Sequence, residues 1–140
     1  MNAASTPCVA LPIIHLLSSG GFYGAERMLL DHCLATPGQH QVLFLDAAER
    51  KWVEELGGMN LFFVFDDGSL STPPLGGTIL PGITRSSLLT LAKDKGIAVR
   101  EERYSIQQWK ADAASGRLRE AFACGTAAVV TPIGIVRAPD

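Results

Sequence analysis

The run NLFFVF at Asn60–Phe65 constrains this chain most. Apolar side chains at consecutive positions leave neither face of a strand for water, so the run predicts a strand covered on both sides. A chain that carries such a strand must supply cover for two faces and neighbours for its edges. With 140 residues, 47% of them hydrophobic and 19% charged, it has the material for one domain built that way.

Short apolar runs and helical stripes alternate around this centre. Leu11–Leu17 is apolar and ends in Ser18-Ser19-Gly20-Gly21, which predicts a buried strand entering a tight turn. From Gly24 the period changes. Ala25, Met28, Leu29 and Cys33 form one helical stripe, stopped by Pro37-Gly38. Val42–Leu45 is a second apolar strand, so Leu11–Leu45 predicts a strand–helix–strand unit of the kind that builds a parallel sheet. Ala47–Leu56 is rich in Ala, Glu, Arg and Lys and closed by Gly57-Gly58, which predicts a helix with Glu54 on its solvent side.

Asp66-Asp67-Gly68 supplies a turn after the central run, and Thr72-Pro73-Pro74 and Gly76-Gly77 mark loop. A helix follows Gly82, with Leu88, Leu89 and Ala92 on one side and Gly96 as its stop. Ile97–Arg103 predicts an edge strand. Ser105 with Gln108 makes a capping-box pattern for a helix ending near Gly116. Glu120–Cys124 and Ala127–Thr131 predict two more strands, broken at Gly125-Thr126. The fold class expected is α/β: a strand–helix–strand N-terminal unit joined to a mixed α/β segment.

Composition narrows the function classes. Formal net charge is −2 and no run of Lys or Arg occurs, which argues against a nucleic-acid partner. No apolar run approaches the roughly 20 residues of a membrane span. The N-terminal stretch has an apolar centre but no Lys or Arg before it, and Pro12 and His15 interrupt it, so no secretory signal is expected. The three cysteines, Cys8, Cys33 and Cys124, are odd in number and form no CxxC. They predict reduced thiols in a cytoplasmic protein and no metal site.

Two glycine-bearing turns are candidates for holding an anion. In LLSSGGFYGAERMLL, Gly20, Gly21 and Gly24 lie between a strand and a helix, where free backbone amides and the helix dipole attract negative charge. Neither GxGxxG nor GxxxxGK[ST] is present, and a turn that needs glycine for its backbone angles explains the same residues. This opening resembles family-4 retaining glycosyltransferases of the GT-B fold over about residues 1–40. That resemblance implies a place near a nucleotide-sugar cleft. Those enzymes carry a Glu-x7-Glu signature, and no glutamate here has another eight positions later.

The second turn is Pro81-Gly82, after which the amides of Ile83 and Thr84 open a helix. Thr126, after Gly125, offers an amide and a hydroxyl in a break between strands. From about Gln41 to Gly134 the chain resembles the fold-type IV aminotransferases that use pyridoxal phosphate, most closely the branched-chain amino acid aminotransferases. ERKWVEELGGMNLFFVF, GTILPGITRSSLLTLA and REAFACGTAAVVTPIG carry the resemblance, in the family's order. It implies that Ile83, Thr84 and Thr126 hold the cofactor phosphate. It implies that Glu55 faces the pyridine nitrogen, and that the backbone at Ala127 and Ala128 faces the substrate carboxylate. A carboxylate beside the ring nitrogen favours its protonated, electron-accepting form.

Transamination in this family also needs a lysine that forms a Schiff base with the cofactor, some tens of residues before the glutamate. The lysines here are Lys51, Lys93, Lys95 and Lys110, and none matches that position. The expectation is a two-part chain, 1–40 glycosyltransferase-like and 41–140 a partial aminotransferase large domain, with both parts able to share one core. Its partial cofactor site has no catalytic lysine of its own. Amino acids and 2-oxo acids as small-molecule partners, and a homodimer, are implied by the resemblance alone. A module that holds phosphate without catalysis, a glycosyltransferase fragment and a purely structural recombined chain are the other readings.

Overall fold

A computed structural model describes residues 13–17, 35, 40–76, 78–126 and 129–137. The strands are β1 (Ile13–Leu17), β2 (His40–Leu45), β3 (Val53–Leu56), β4 (Met59–Phe65), β5 (Leu70–Thr72), β6 (Val99–Glu101), β7 (Leu118–Cys124), β8 (Thr131–Pro132) and β9 (Val136–Arg137). Helix α1 (Ile83–Asp94) lies between β5 and β6, and α2 (Ile106–Ser115) between β6 and β7. All the strands join one mixed sheet, in the order β6-β5-β4-β3-β2-β1-β9, with β7 on β4 and β8 on β7. The α/β class is therefore as expected.

The central run sits where its composition requires. One edge of β4 pairs with β7 from Asn60↔Cys124 to Phe65↔Leu118. The other edge is shared, by β3 at Asn60 and Met59 and by β5 at Phe63 and Val64. Leu61, Phe63 and Phe65 point into the main core with Leu43, Leu45, Val53, Leu56, Ala121 and Ala123. Helix α2 covers this face through Ile106 and Trp109. Phe63 lies 4.5 Å from the Tyr104 ring and 4.8 Å, edge-on, from Trp109. On the opposite face Phe62 stacks on Phe122 at 5.2 Å. Phe62 and Phe63 are both fully buried, each removing a large apolar side chain from water, worth about 1.5–3 kcal/mol.

At the N-terminal side, β1 and β2 pair in parallel without a break from Ile13↔His40 to Leu17↔Phe44. The helical stripe expected between them, Ala25, Met28, Leu29 and Cys33, lies outside the described residues. The second parallel pair, β5 and β6, is bridged by α1, as parallel strands require a long crossover.

Two expectations need correction. Ala47–Leu56 is not a helix. The Asp46 side chain accepts the amides of Trp52 (2.8 Å), Glu49 (2.7 Å) and Lys51 (2.9 Å), which folds residues 46–52 into a closed loop. Those bonds, Trp52's first, hold the Asp46 carboxyl down at about 2. Arg50 takes a positive φ of 54° within that loop. Residues 53–56 then form β3, and Gly57-Gly58, at φ 55° and 81°, form a two-residue hairpin turn into β4. A side chain bonding its own backbone overrode helix propensity.

The strand expected over Ala127–Thr131 is reduced to β8. Pairing of Ala123 with Thr131 makes the residues between β7 and β8 a connection, and Val129 and Val130 lie exposed on it. Ala127 and Ala128 are outside the described residues. Elsewhere the outcome is closer. Helix α2 has both halves of its Ser105–Gln108 capping box and ends at Gly116 in the left-handed region. Edge strand β6 is shorter than Ile97–Arg103, and β7 extends further back than Glu120.

Candidate cofactor site

Strand alternation selects the face on which the site forms. Asn60 lies opposite Glu55 on β3 and opposite Cys124 on β7, so these three share the face away from the main core. Glu55 thus reaches its place from a strand and not from a helix. Its Oε1 accepts the Leu80 amide at 2.5 Å. Burial pushes its carboxyl above the usual 4.5, the Leu80 amide opposes the rise, and the charge of Glu54 adds to it. Glu54 is not simply on a solvent face: its Oε1 accepts the Thr78 hydroxyl at 2.9 Å. Two adjacent acids therefore hold the 78–80 loop.

Asn60 completes the arrangement. Its Nδ2 donates to the Leu80 carbonyl at 2.8 Å, and the Gly82 amide donates to the same oxygen at 2.9 Å. A Cβ added to Gly82 would clash with Asn60 Oδ1. Helix α1 starts at the next residue. Gly82 is its N-cap and no side chain caps it, so the first amides, those of Ile83 and Thr84, point out of the helix end without a side-chain partner. Ile83 itself is 86% exposed.

Arg85, one turn in, escaped the sequence reading. It is 3% exposed, and its Nη2 donates to the Pro73 carbonyl at 3.0 Å and to Glu101 at 2.6 Å. Its Nε has no partner. The signal was available: Arg85, Leu88, Leu89 and Ala92 stand at i, i+3, i+4 and i+7, one stripe of a helix. The charge hid it. Arg85 ties the first turn of α1 to β6 and the 73–74 loop. Its charge opposes the rise that burial imposes on the Cys124 thiol.

Thr126 follows β7, which pairs with the opposite edge of β4. It is exposed, two residues beyond Cys124, which pairs with Asn60. The intervening Gly125 lies against Met59, whose Cγ would stand 3.0 Å from an added Cβ. The main chain of Asn60 is therefore tied to the strand leading to Thr126, and its side chain to the loop leading to Ile83 and Thr84. Gly20, Gly21, Gly24, Ala127 and Ala128 lie outside the described residues.

The lysines sit elsewhere. Lys51 Nζ lies 4.4 Å from the Trp52 ring, and Lys110 lines the groove between α2 and β7. Lys93 and Lys95 are at the far end of α1, about 15 Å along the axis from Ile83. Among the described residues no group of His, Cys, Asp and Glu could hold a metal ion. No described helix is long and apolar enough to cross a membrane.

The chain has counterparts among known proteins. The model of the class IV amino-transferases matches residues 23–136. A probable branched-chain-amino-acid aminotransferase of Streptomyces coelicolor is 54% identical over 119 residues, 85% of this chain and 32% of that protein. The branched-chain-amino-acid aminotransferase of Mycolicibacterium smegmatis is 52% identical over 124 residues, 86% of this chain and 33% of its own length. The crystal structure of the Escherichia coli branched-chain amino acid aminotransferase superposes with a TM-score of 0.63 at 30% identity, covering 89% of this chain and 43% of that one. The enzyme of Thermoproteus uzoniensis, solved with norvaline, gives 0.64 at 28% identity, with 91% and 44% covered. The chain belongs to the class IV aminotransferase family. It spans about a third of the length of the curated relatives it matches.

Proposed function

We propose that this chain is a branched-chain aminotransferase-like piece that holds pyridoxal phosphate without supplying the lysine that tethers it. The observation that carries the reading is the clamp of Glu55, Leu80, Asn60 and Gly82. It sets a half-buried carboxylate beside the uncapped start of α1. The donor set suits the cofactor's chemistry. The amides of Ile83 and Thr84 and the amide and hydroxyl of Thr126 suit a phosphate dianion, and Glu55 suits a protonated ring nitrogen. When bound, pyridoxal phosphate supplies a ring that accepts electrons from the substrate's α-carbon. Glu55 would hold a proton on the ring nitrogen and the α1 amides would orient the phosphate, while the family resemblance would give the backbone at Ala127 and Ala128 the substrate carboxylate. The substrates by kinship are branched-chain amino acids and their 2-oxo acids.

The missing role is that of the tethering amine. No lysine precedes Lys51 in the sequence, and the four lysines present are all exposed, Lys51 against Trp52, Lys110 on α2 and Lys93 and Lys95 at the far end of α1. The family match begins at residue 23, inside the segment compared with glycosyltransferases, which favours a single aminotransferase origin for both parts. A buried, unpaired Cys124 suits a reducing cytoplasm. A homodimer, implied by the resemblance, is part of the same reading.

The test is an absorption titration with pyridoxal phosphate, followed by borohydride and mass mapping. Saturable binding that dialysis reverses, with no lysine labelled stoichiometrically after reduction, is the expected result. Stoichiometric reduction onto one lysine would overturn the claim about the amine, and absence of saturable binding would overturn the cofactor site.

A further inference from the structure

Gly82 has ordinary extended angles, φ −70° and ψ 137°, which any residue adopts. Glycine suits that place for another reason: a Cβ would clash with Asn60 Oδ1. Asn60 is 4% exposed, and its amide nitrogen holds the Leu80 carbonyl. One side chain therefore bonds the loop at Leu80 and packs against it at Gly82. On one side of that loop the Leu80 amide meets Glu55, and on the other the α1 amides begin. The main chain of Asn60 is fixed independently, between β3 and β7.

We propose that Asn60 is a positioning residue that sets the spacing between the Glu55 carboxylate and the amide-bearing start of α1. It does so from β4, by bonding the Leu80 carbonyl and packing against Gly82. The inference rests on the reading that the site takes pyridoxal phosphate, and it adds the part that fixes the length of that site. A ligand gripped at ring nitrogen and phosphate together depends on this spacing, whereas a ligand gripped at one point does not. Because strand pairing holds the Asn60 backbone, truncating its side chain frees the loop and leaves the sheet in place.

The experiment uses Asn60→Ala, Gly82→Ala and the double variant. The probes are pyridoxine 5′-phosphate, which has ring and phosphate but no aldehyde, and inorganic phosphate. Asn60→Ala should weaken pyridoxine 5′-phosphate about tenfold or more while inorganic phosphate changes less than about twofold. Hydrogen exchange at the Leu80 amide should speed up by about tenfold, with β4 and β7 amides unchanged. Gly82→Ala alone should show the same losses, because its methyl expels Asn60. In the Asn60→Ala background the same change should add nothing, since the space is already vacant.

Wild-type affinity for pyridoxine 5′-phosphate in Asn60→Ala would overturn the proposal. So would an equal loss for inorganic phosphate, or a Gly82→Ala effect as large in the double variant as alone. If the wild-type chain binds neither probe, the cofactor reading falls. Leu80 exchange and a thermal-unfolding cycle over the same variants then still decide whether Asn60 holds the loop.

Discussion

Glu55 carries its carboxylate in a half-buried place where burial outweighs the one amide bonded to it, and its pKa is raised from 4.5. A raised carboxyl pKa means that folding favours the protonated form. The stability this group contributes is whole below about pH 4.5 and is lost as pH rises through the folded value. Glu55→Gln keeps an oxygen for the Leu80 amide and removes the charge. The variant should melt at or above the wild-type temperature at pH 7, with the difference closing towards pH 4, and should bind pyridoxal phosphate more weakly. A variant less stable than wild type at pH 7, recovering in acid, would show the charge to be favourable. Arg85 is the reverse case. Its guanidinium is buried with Glu101 and the Pro73 carbonyl, but Glu101 is half exposed and water can receive it after the pair is broken. Arg85→Ala should therefore cost about 1–3 kcal/mol by urea denaturation, and not the larger penalty of stranding a fully buried charge. Of these residues, Glu55 was legible as a candidate through family likeness. Arg85 stands on the same helical stripe as Leu88, Leu89 and Ala92, a stripe drawn from apolar residues alone, and the role of Asn60 depends on a contact across 22 positions that no local pattern encodes.

The elements show where local pattern suffices. The α2 capping box and Gly116 are read directly, because a Ser, a Gln at N3 and a left-handed glycine act within one turn of chain. The segment after β2 misleads because Ala, Glu, Arg and Lys favour a helix, while Asp46 offers the backbone a competing set of bonds that closes a loop. Gly57-Gly58 then changes meaning, from helix stop to hairpin turn. The two meanings separate by mutation. In the hairpin both glycines have positive φ, and a Cβ at Gly57 meets nothing within 4 Å. Gly57→Asn suits the first position of such a turn and should stabilise the chain by about 0.4–1 kcal/mol through the unfolded state. Gly57→Val should destabilise it. Chemical denaturation of the two variants checks the pair, and equal effects would count against a two-residue turn.

At the scale of the molecule, β4 is the element through which everything else is joined. It pairs with β7 along one edge and with β3 and β5 along the other, and β3 passes the sheet on to β2, β1 and β9. The buried run that demanded this arrangement could be read from sequence. Which strands answer the demand could not, because partners as distant as Leu61 and Ala123 are chosen by shape and register. Phe63→Ala removes the ring that Tyr104 and Trp109 pack against and should cost about 3–5 kcal/mol. That is a large share of the roughly 5–15 kcal/mol that holds an ordinary domain. The loss also tests whether residues 1–40 and 41–140 unfold together. Leu16 pairs with Leu43, a core residue, so a shared unit transmits the loss to β1. Native-state hydrogen exchange should then quicken at the β1 amides and at Ala121–Ala123 by the same factor, about a hundredfold or more. Exchange in β1 that ignores the substitution would mean that this strand opens on its own, and that pairing with β2 alone does not make one cooperative core.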